Sequence, residues 1–276
     1  MKKTFNPGKI IIIIILSLFA GYIAFPFLWM LATSLRSPLA SFRLPPSIIP
    51  TTFDLTNYRQ IFVRVDFFAF IKNSIFVSVM ITVSQTLVCS MAAYAFSRFN
   101  FPGKNLVFLM FLVAMMIPVQ VTSIPRFIFI SRLRLINSFA ALILPQMFST
   151  LAIFLIRQHM LTIPKSYDEA AYIDGAGKIW TFARVIVPMA KPSIFVVAVM
   201  TFVSSWNDFF NPLLYINKVA KMTLPLGMQA MTGMFGQGNS AAVIAGVMLS
   251  LIPPLIFYVA GQRWLIEGIN IGGLKG

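Results

Sequence analysis

The sequence predicts an all-α membrane protein of six transmembrane helices, and three observations carry that prediction. The 276 residues are 58% hydrophobic and only 11% charged, whereas soluble domains carry about 25% charged residues. Charged residues are spaced so that apolar runs recur between them, each near the ~20 residues needed to cross ~30 Å of hydrocarbon. The 22 Lys and Arg, for a net charge of +15, lie singly between those runs. They form no basic stripe with interleaved aromatics, so they read as flanks of membrane spans and not as a nucleic-acid platform.

Taken in order, 26 uncharged residues separate Lys9 from Arg36, beginning with Ile10 to Ile15. A basic start at Lys2 and Lys3 also describes a signal peptide, but this run exceeds the ~7–15-residue core of one. It is read as an uncleaved first span over 10–34. Pro38, Pro45, Pro46 and Pro50 then prevent regular structure, and Asp54 is placed to cap a short helix over 54–62. The second span is 73–97, followed by a tight turn at Pro102-Gly103. The third is 105–125, the fourth 137–156, the fifth 193–216 and the sixth 241–262, with a Gly- and Met-rich loop over 218–240. The whole chain is expected to be a single transmembrane domain with both termini on one side. With those termini inside, 12 of the 22 cations fall inside and 10 outside, a margin too small to orient the chain. Pro26, Pro118, Pro145, Pro212, Pro253 and Pro254 lie in spans, where each removes a backbone donor. They mark packing kinks or a pathway that bends.

One stretch stands apart. Asp168, Glu169 and Asp174 lie within seven residues in a chain with seven acidic side chains altogether. They occupy SYDEAAYIDGAGKIWTFARVIVPMAKP (166–192), between two apolar spans. Ser166 and Glu169 fit the S-x-x-E capping box, and the acidic first turn complements a helix N-terminus. A helix over 167–174 is expected, ended by Gly175. A second over 179–187 would present Trp180, Ala183 and Val187 on one apolar face and Arg184 to water.

The spacing of Glu169, Ala170, Ala171, Gly175, Val185, Val187 and Pro188 resembles the EAA loop of permease subunits in binding-protein-dependent ABC importers. Asp174 and Pro192 further resemble the carbohydrate branch typified by the maltose permease. So do Asn73-Ser74, AAYAFSRFNFPGK (92–104), SWNDFFNPL (205–213) and QRWLIEGINIGGLKG (262–276), so the likeness spans essentially the whole chain. Val185 and Val187 replace the more common Ile and Leu while keeping apolar character.

The resemblance implies a multi-pass protein of the bacterial plasma (inner) membrane, with both termini and the EAA loop (164–192) cytoplasmic. The first helix of that loop would be a coupling helix seated on an ATPase, with Glu169, Ala170, Ala171, Asp174, Gly175 and Pro188 as coupling residues. The implied partners are a homologous second permease, two ATPase subunits that bind ATP and Mg, and an extracytoplasmic solute-binding protein. The implied cargo is a sugar or oligosaccharide, with glycerol phosphate or another polar solute as the alternative. The 217–240 loop would be external and reach toward the binding protein.

The remaining residues narrow the chemistry. No G-x-x-x-x-G-K-[ST] phosphate loop occurs, so no cofactor is expected in this chain and the subunit is read as non-catalytic. His159, the single histidine, has no metal-ligating companions in sequence, and the single cysteine, Cys89, excludes an intrachain disulfide. Asp208 is the one acid near a span, where carboxylates mark functional sites or sit at the interface. With Asn73, Trp206 and Asn207 it forms the candidate translocation path, Trp206 being suited to stack on a sugar ring. Two other classes compete. A gradient-driven carrier would need buried acids or histidines, and only Asp208 is available. A membrane-embedded transferase would need paired carboxylates at an aqueous face.

Overall fold

The computed structural model describes residues 7–37, 53–235 and 240–273, with the backbone alone at 7, 64, 233–235, 240 and 263–273. The expectations placed on Lys2, Lys3, Pro38, Pro45, Pro46, Pro50 and Lys275, and on 236–239 of the Gly- and Met-rich loop, lie outside the described residues. Every regular element among those described is helical. Contacts divide the chain into two compact units, Met1–Phe67 with Met228–Leu251 and Phe68–Gly227 with Ile252–Gly276.

In the first unit, α1 (Pro7–Ser34) runs unbroken through Pro26, close to the expected 10–34. Its isoleucines stand outward, Ile11 to Ile15 each more than half exposed, as suits a helix whose solvent is lipid. Below it lies α2 (Thr56–Arg64). Asp54 accepts from Thr56 N at 2.8 Å, and bonds from the Thr56 side chain and backbone hold its carboxyl below the usual carboxylate range. Asn57 Nδ2 ties the two helices by donating to the carbonyls of Ser34 and Arg36 at 3.0 and 2.7 Å. Against both packs α14 (Ser240–Ser250).

The second unit is organised along α3 (Phe67–Arg98). Toward one end Val77 and Ile81 pack with Ile130, Leu142 and Tyr215. Toward the other, Cys89, Ala93 and Phe96 pack with Ile153, Ile156, Met160 and Ile186. The unit also contains α4 (Lys104–Ala114), α5 (Ser123–Arg132), α6 (Ala140–Ile143), α7 (Thr150–Thr162), α8 (Ser166–Ile173), α9 (Lys178–Thr181), α10 (Val187–Met189), α11 (Lys191–Trp206), α12 (Phe210–Tyr215) and α15 (Ile252–Gly273), the last packed on α11. The helix α13 (Leu224–Phe235) starts in this unit.

Among the described residues, three helices are long and apolar enough to cross a membrane: Gly8–Ser34, Phe67–Arg98 and Ala241–Gln262. The number rises to five if two bent pairs each count as one span, Ala140–Gln146 with Thr150–Thr162 at 41° and Lys178–Met189 with Lys191–Trp206 at 79°. Hydropathy concealed these breaks. The stretch 105–125 is not one helix: α4 ends at Ala114 and turns occupy 115–122, where Pro118 lacks a donor. The stretch 137–156 breaks at Met147–Ser149, and 193–216 breaks at Asn207–Phe209. Conversely, the expected loop over 218–240 contains a helix, α13.

The entry to α13 is held by side-chain amides and a hydroxyl. Asn73 Nδ2 donates to the carbonyls of Ala220 and Met222 at 3.0 and 2.9 Å, and Leu224 N donates to Ser74 Oγ at 2.7 Å. Asn137, at φ +62°, accepts on Oδ1 from the backbone N–H groups of Asn217 and Lys218. Asn tolerates this left-handed backbone better than other side chains do.

Gly227 serves close approach. A Cβ there would collide with the Phe70 ring, and Phe70 is fully buried, so the ring has nowhere to retreat. Gly227→Ala should therefore cost about 1–3 kcal/mol, the range for overpacking, seen as a lower melting midpoint in detergent. Gly21→Ala, where nothing lies within 4 Å, should leave the midpoint in place. Equal midpoints for the two variants would show that Phe70 moves freely.

Candidate functional site

The acidic stretch folds into a short rod. Its first helix, α8, begins one residue before the expected start, and Asp168 and Glu169 occupy its first turn. The expected capping box is absent. Lys165 already has helical φ and ψ, and the helix carries no side-chain cap. Ser166 is thus the first helical residue rather than the cap. The orphan N–H of Asp168 instead donates to Lys165 O at 2.9 Å, the oxygen that also takes the first regular helical bond from Glu169 N at 3.1 Å. Termination follows the sequence. Gly175 takes φ +79°, Ala176 N donates to Ala171 O and Gly175 N to Tyr172 O, the paired bonds of a Schellman motif.

The second helical piece runs from Lys178 to Met189 but contains a π turn over Phe182–Ile186. That extra residue per turn rotates the buried face. Thr181 and Ile186 are buried and Phe182 and Val185 half-buried, while Trp180 and Ala183 are exposed. The expected apolar face through Trp180, Ala183 and Val187 is therefore corrected, whereas Arg184 is exposed as anticipated. Pro188 is exposed in α10, and the chain then bends by 79° at Ala190 into α11.

What seats the rod is a buried ion pair that the sequence pattern did not single out. Arg98 Nε, at the end of α3, lies 3.0 Å from Asp168 Oδ2, with the side chains 6% and 12% exposed. Neither atom makes an aligned hydrogen bond, so charge holds the contact. Arg98 Nη2 also donates to Ile163 O at 3.0 Å. Tyr94 Oη donates to Lys178 O at 3.4 Å, and its ring packs on Phe182 with centroids 5.1 Å apart. With Asp168 and Ala171 turned inward, the outer surface presents Glu169, Ala170, Ile173 and Asp174. The Glu169 side chain makes no hydrogen bond or ion pair among the described residues, and Ile173 is 87% exposed.

A second feature lies between α3, α7 and α11: a cleft of about 460 Å³, within the ~300–1,000 Å³ range of small-molecule sites. Asp208 lines it, half-buried in the break after α11. Its Oδ2 accepts from Gln146 Nε2 at 3.1 Å and Asn211 Nδ2 at 2.7 Å, and its Oδ1 from Asn211 N at 3.1 Å. Arg126, Gln85 and Thr201 line the same cleft.

Of the four residues expected on the path, the structure places only Asp208 in this cleft. Asn73 is buried in the clamp on the 220–222 carbonyls. Trp206 is 2% exposed and stacked on Phe202, so its face is not open to a sugar. Asn207 is exposed and donates to Val203 O. Gln85, Gln146 and Thr201 escaped sequence reading because uncharged polar residues inside otherwise apolar runs match no motif. The signal was the runs' interruption by Gln and Thr at membrane depth.

The chain matches, over residues 85–267, the family described as binding-protein-dependent transport system inner membrane component. It is 32% identical over 280 residues to the arabinooligosaccharides transport system permease protein of Halalkalibacterium halodurans, covering 100% of both chains. It is 34% identical over 273 residues to the sn-glycerol-3-phosphate transport system permease protein of Salmonella typhi, covering 96% of this chain and 95% of that one. Its fold matches a chain of a bacterial ABC transporter involved in the import of the acidic polysaccharide alginate, at TM-score 0.83 and 21% identity, over 96% of this chain and 99% of that one. With polar clefts and an anchored rod set among apolar helices, and similarity along its full length, this chain belongs to the family of inner-membrane components of binding-protein-dependent transport systems.

Proposed function

We propose that this chain is one permease subunit of an ATP-driven importer of a sugar or oligosaccharide, with α8 as its coupling helix. The observation that carries the reading is the anchored, outward-facing α8. A short helix clamped by a buried ion pair on one face, with an unengaged carboxylate and a bare Ile173 on the other, is built to receive a partner. Ala170 lets a partner's surface approach closely, and Glu169 offers it an acceptor. The neighbouring Ile179 and Trp180, 84% and 54% exposed, extend that surface.

In this reading a homologous permease completes the transmembrane pore, and two ATPase subunits bind ATP and Mg. An extracytoplasmic binding protein delivers the solute. The chain crosses the membrane six times as a single domain, with its termini and α8 on the cytoplasmic side and 217–240 outside. Closure of the ATPases would move α8 as a rigid body, and α3 and α11 with it. Glu169, Ala170 and Asp174 contact the ATPase, while Ala171, Gly175 and Pro188 shape the loop. A sugar is favoured over a phosphorylated solute by the similarity to the arabinooligosaccharide permease along the whole of both chains, although the glycerol-phosphate relative keeps that cargo as the second reading.

Two experiments separate contact from scaffolding. A tagged chain expressed with its transporter should co-purify with an ATPase. Glu169→Ala should abolish binding-protein-stimulated ATP hydrolysis with no change in melting midpoint, since the exposed side chain makes no hydrogen bond or ion pair among the described residues. Wild-type hydrolysis and uptake in that variant would remove Glu169 from the coupling role. Asp168→Ala should behave differently. It leaves the Arg98 guanidinium buried without its partner, a loss of about 3–5 kcal/mol. The Arg98→Ala/Asp168→Ala double variant should lose less than the sum of the single losses. Additive losses in that double-mutant cycle would show that the two charges act independently.

A further inference from the structure

We propose that the cleft on Asp208 is a solute-contact site belonging to this subunit itself, and that it takes an uncharged, hydroxyl-rich solute. The inference rests on the permease reading above and deepens it.

Two observations point to a ligand independently of Asp208. Gln85, on α3, is 8% exposed, and Thr201, on α11, is 7% exposed. Both line the cleft, and neither side chain has a hydrogen-bond partner among the described residues. Their polar atoms are also not sealed from solvent, so what remains exposed of each residue faces the cleft. An amide and a hydroxyl on largely buried residues, without protein partners and open to the cleft, are free to bond what occupies it. They are satisfied only by something that enters, water or a solute group.

The remaining polar lining settles the chemistry. Gln146 and Asn211 each spend one side-chain N–H on Asp208, which leaves each amide a second N–H donor and its carbonyl acceptor. Gln85 adds both donor and acceptor, and Thr201 a hydroxyl that does either. Arrays of this mixed kind suit sugar hydroxyls, which also donate and accept. Charge argues the same way. Arg126 and Asp208 balance within the cleft, so a phosphate monoester would bring surplus negative charge beside a fixed carboxylate with one guanidinium to offset it.

The test uses the assembled transporter with its ATPases and binding protein in membrane vesicles. Cys89, the single native cysteine, is fully buried, so the wild-type chain supplies the unlabelled background. Gln85→Cys and Thr201→Cys should each react with a membrane-impermeant methanethiosulfonate. Arabinotriose or maltotriose should slow that reaction severalfold, and sn-glycerol 3-phosphate should not. Thr201→Val, of the same shape, should lower trisaccharide uptake per ATP hydrolysed severalfold. Absence of labelling, labelling that neither trisaccharide slows, protection by the phosphate ester, or wild-type uptake in Thr201→Val would each overturn the proposal. Binding-protein-stimulated ATPase of the wild type separates the two levels. If it is present without protection, only the cleft assignment fails; if it is absent, the permease reading fails and takes the cleft with it.

Discussion

The buried pair of Arg98 and Asp168 is the contact on which the rest of the second unit depends. A lone charge at that depth would be strongly unfavourable, so neither α8 nor the end of α3 can shift without the other. Arg98 also holds Ile163 O, and Tyr94 one turn earlier holds Lys178 O. The end of one long helix therefore grips both pieces of the loop. That grip lets a helix of eight residues, too short to be stable alone in water, stand exposed as a rigid rod. It also explains why the missing capping box is tolerated: tertiary contact supplies what local capping would have.

The breaks in α6–α7 and after α11 have a shared logic. An interrupted helix at membrane depth must re-satisfy its freed backbone groups within the protein. Ser149 Oγ accepts from Ala152 N, Asn207 Nδ2 donates to Val203 O, and Asp208 Oδ1 accepts from Asn211 N. Gln146 then joins the two breaks through Asp208 Oδ2. The polar residues needed to end the helices are the ones that bring polar chemistry to the cleft. A continuous helix of the same composition would have hidden its backbone and had no use for an aspartate there.

Sequence reading succeeded where one local rule dominates. Charge spacing located α1 and α3, because no proline or polar cluster interrupts their interiors enough to break them. Gly175 was legible as a stop, since a positive φ is a property of the residue itself. Reading failed where tertiary contact decides. Ser166 and Glu169 match a capping pattern, yet the chain enters the helix one residue early. The π turn at Phe182–Ile186 rotates the buried face of the second piece, and nothing in FARVI announces it. Asp168 was noted as one of three acids, but its burial against Arg98, seventy residues away, has no local signature. Gln85 and Thr201 were invisible for a related reason: uncharged polar residues such as Ser84-Gln85-Thr86 and Thr201 leave a span's hydropathy intact, and their meaning comes from the opposite wall.

The geometry bears on the proposed link between α8 and the cleft. Gln85 and Arg98 lie on the same unbroken helix, thirteen residues apart, about 20 Å at 1.5 Å per residue. Thr201 lies on α11, which begins where the loop ends at Ala190. The two walls of the cleft are thus rooted in the two ends of the loop, α3 through Arg98 and α11 through the 79° bend. A rigid displacement of α8 cannot reach one wall alone unless the Arg98–Asp168 contact breaks. Moving both walls together would carry the cleft as a body, whereas flexing at Ala190 would let α11 move against α3 and open or close it. Ala190 is fully buried among Met160, Ile186 and Val197, so the bend is packed and its angle is set by its neighbours. If α8 is the coupling helix proposed above, the change in cleft shape depends on how the core around Ala190 repacks as α8 moves, since that core, rather than the loop surface, fixes the angle of the bend.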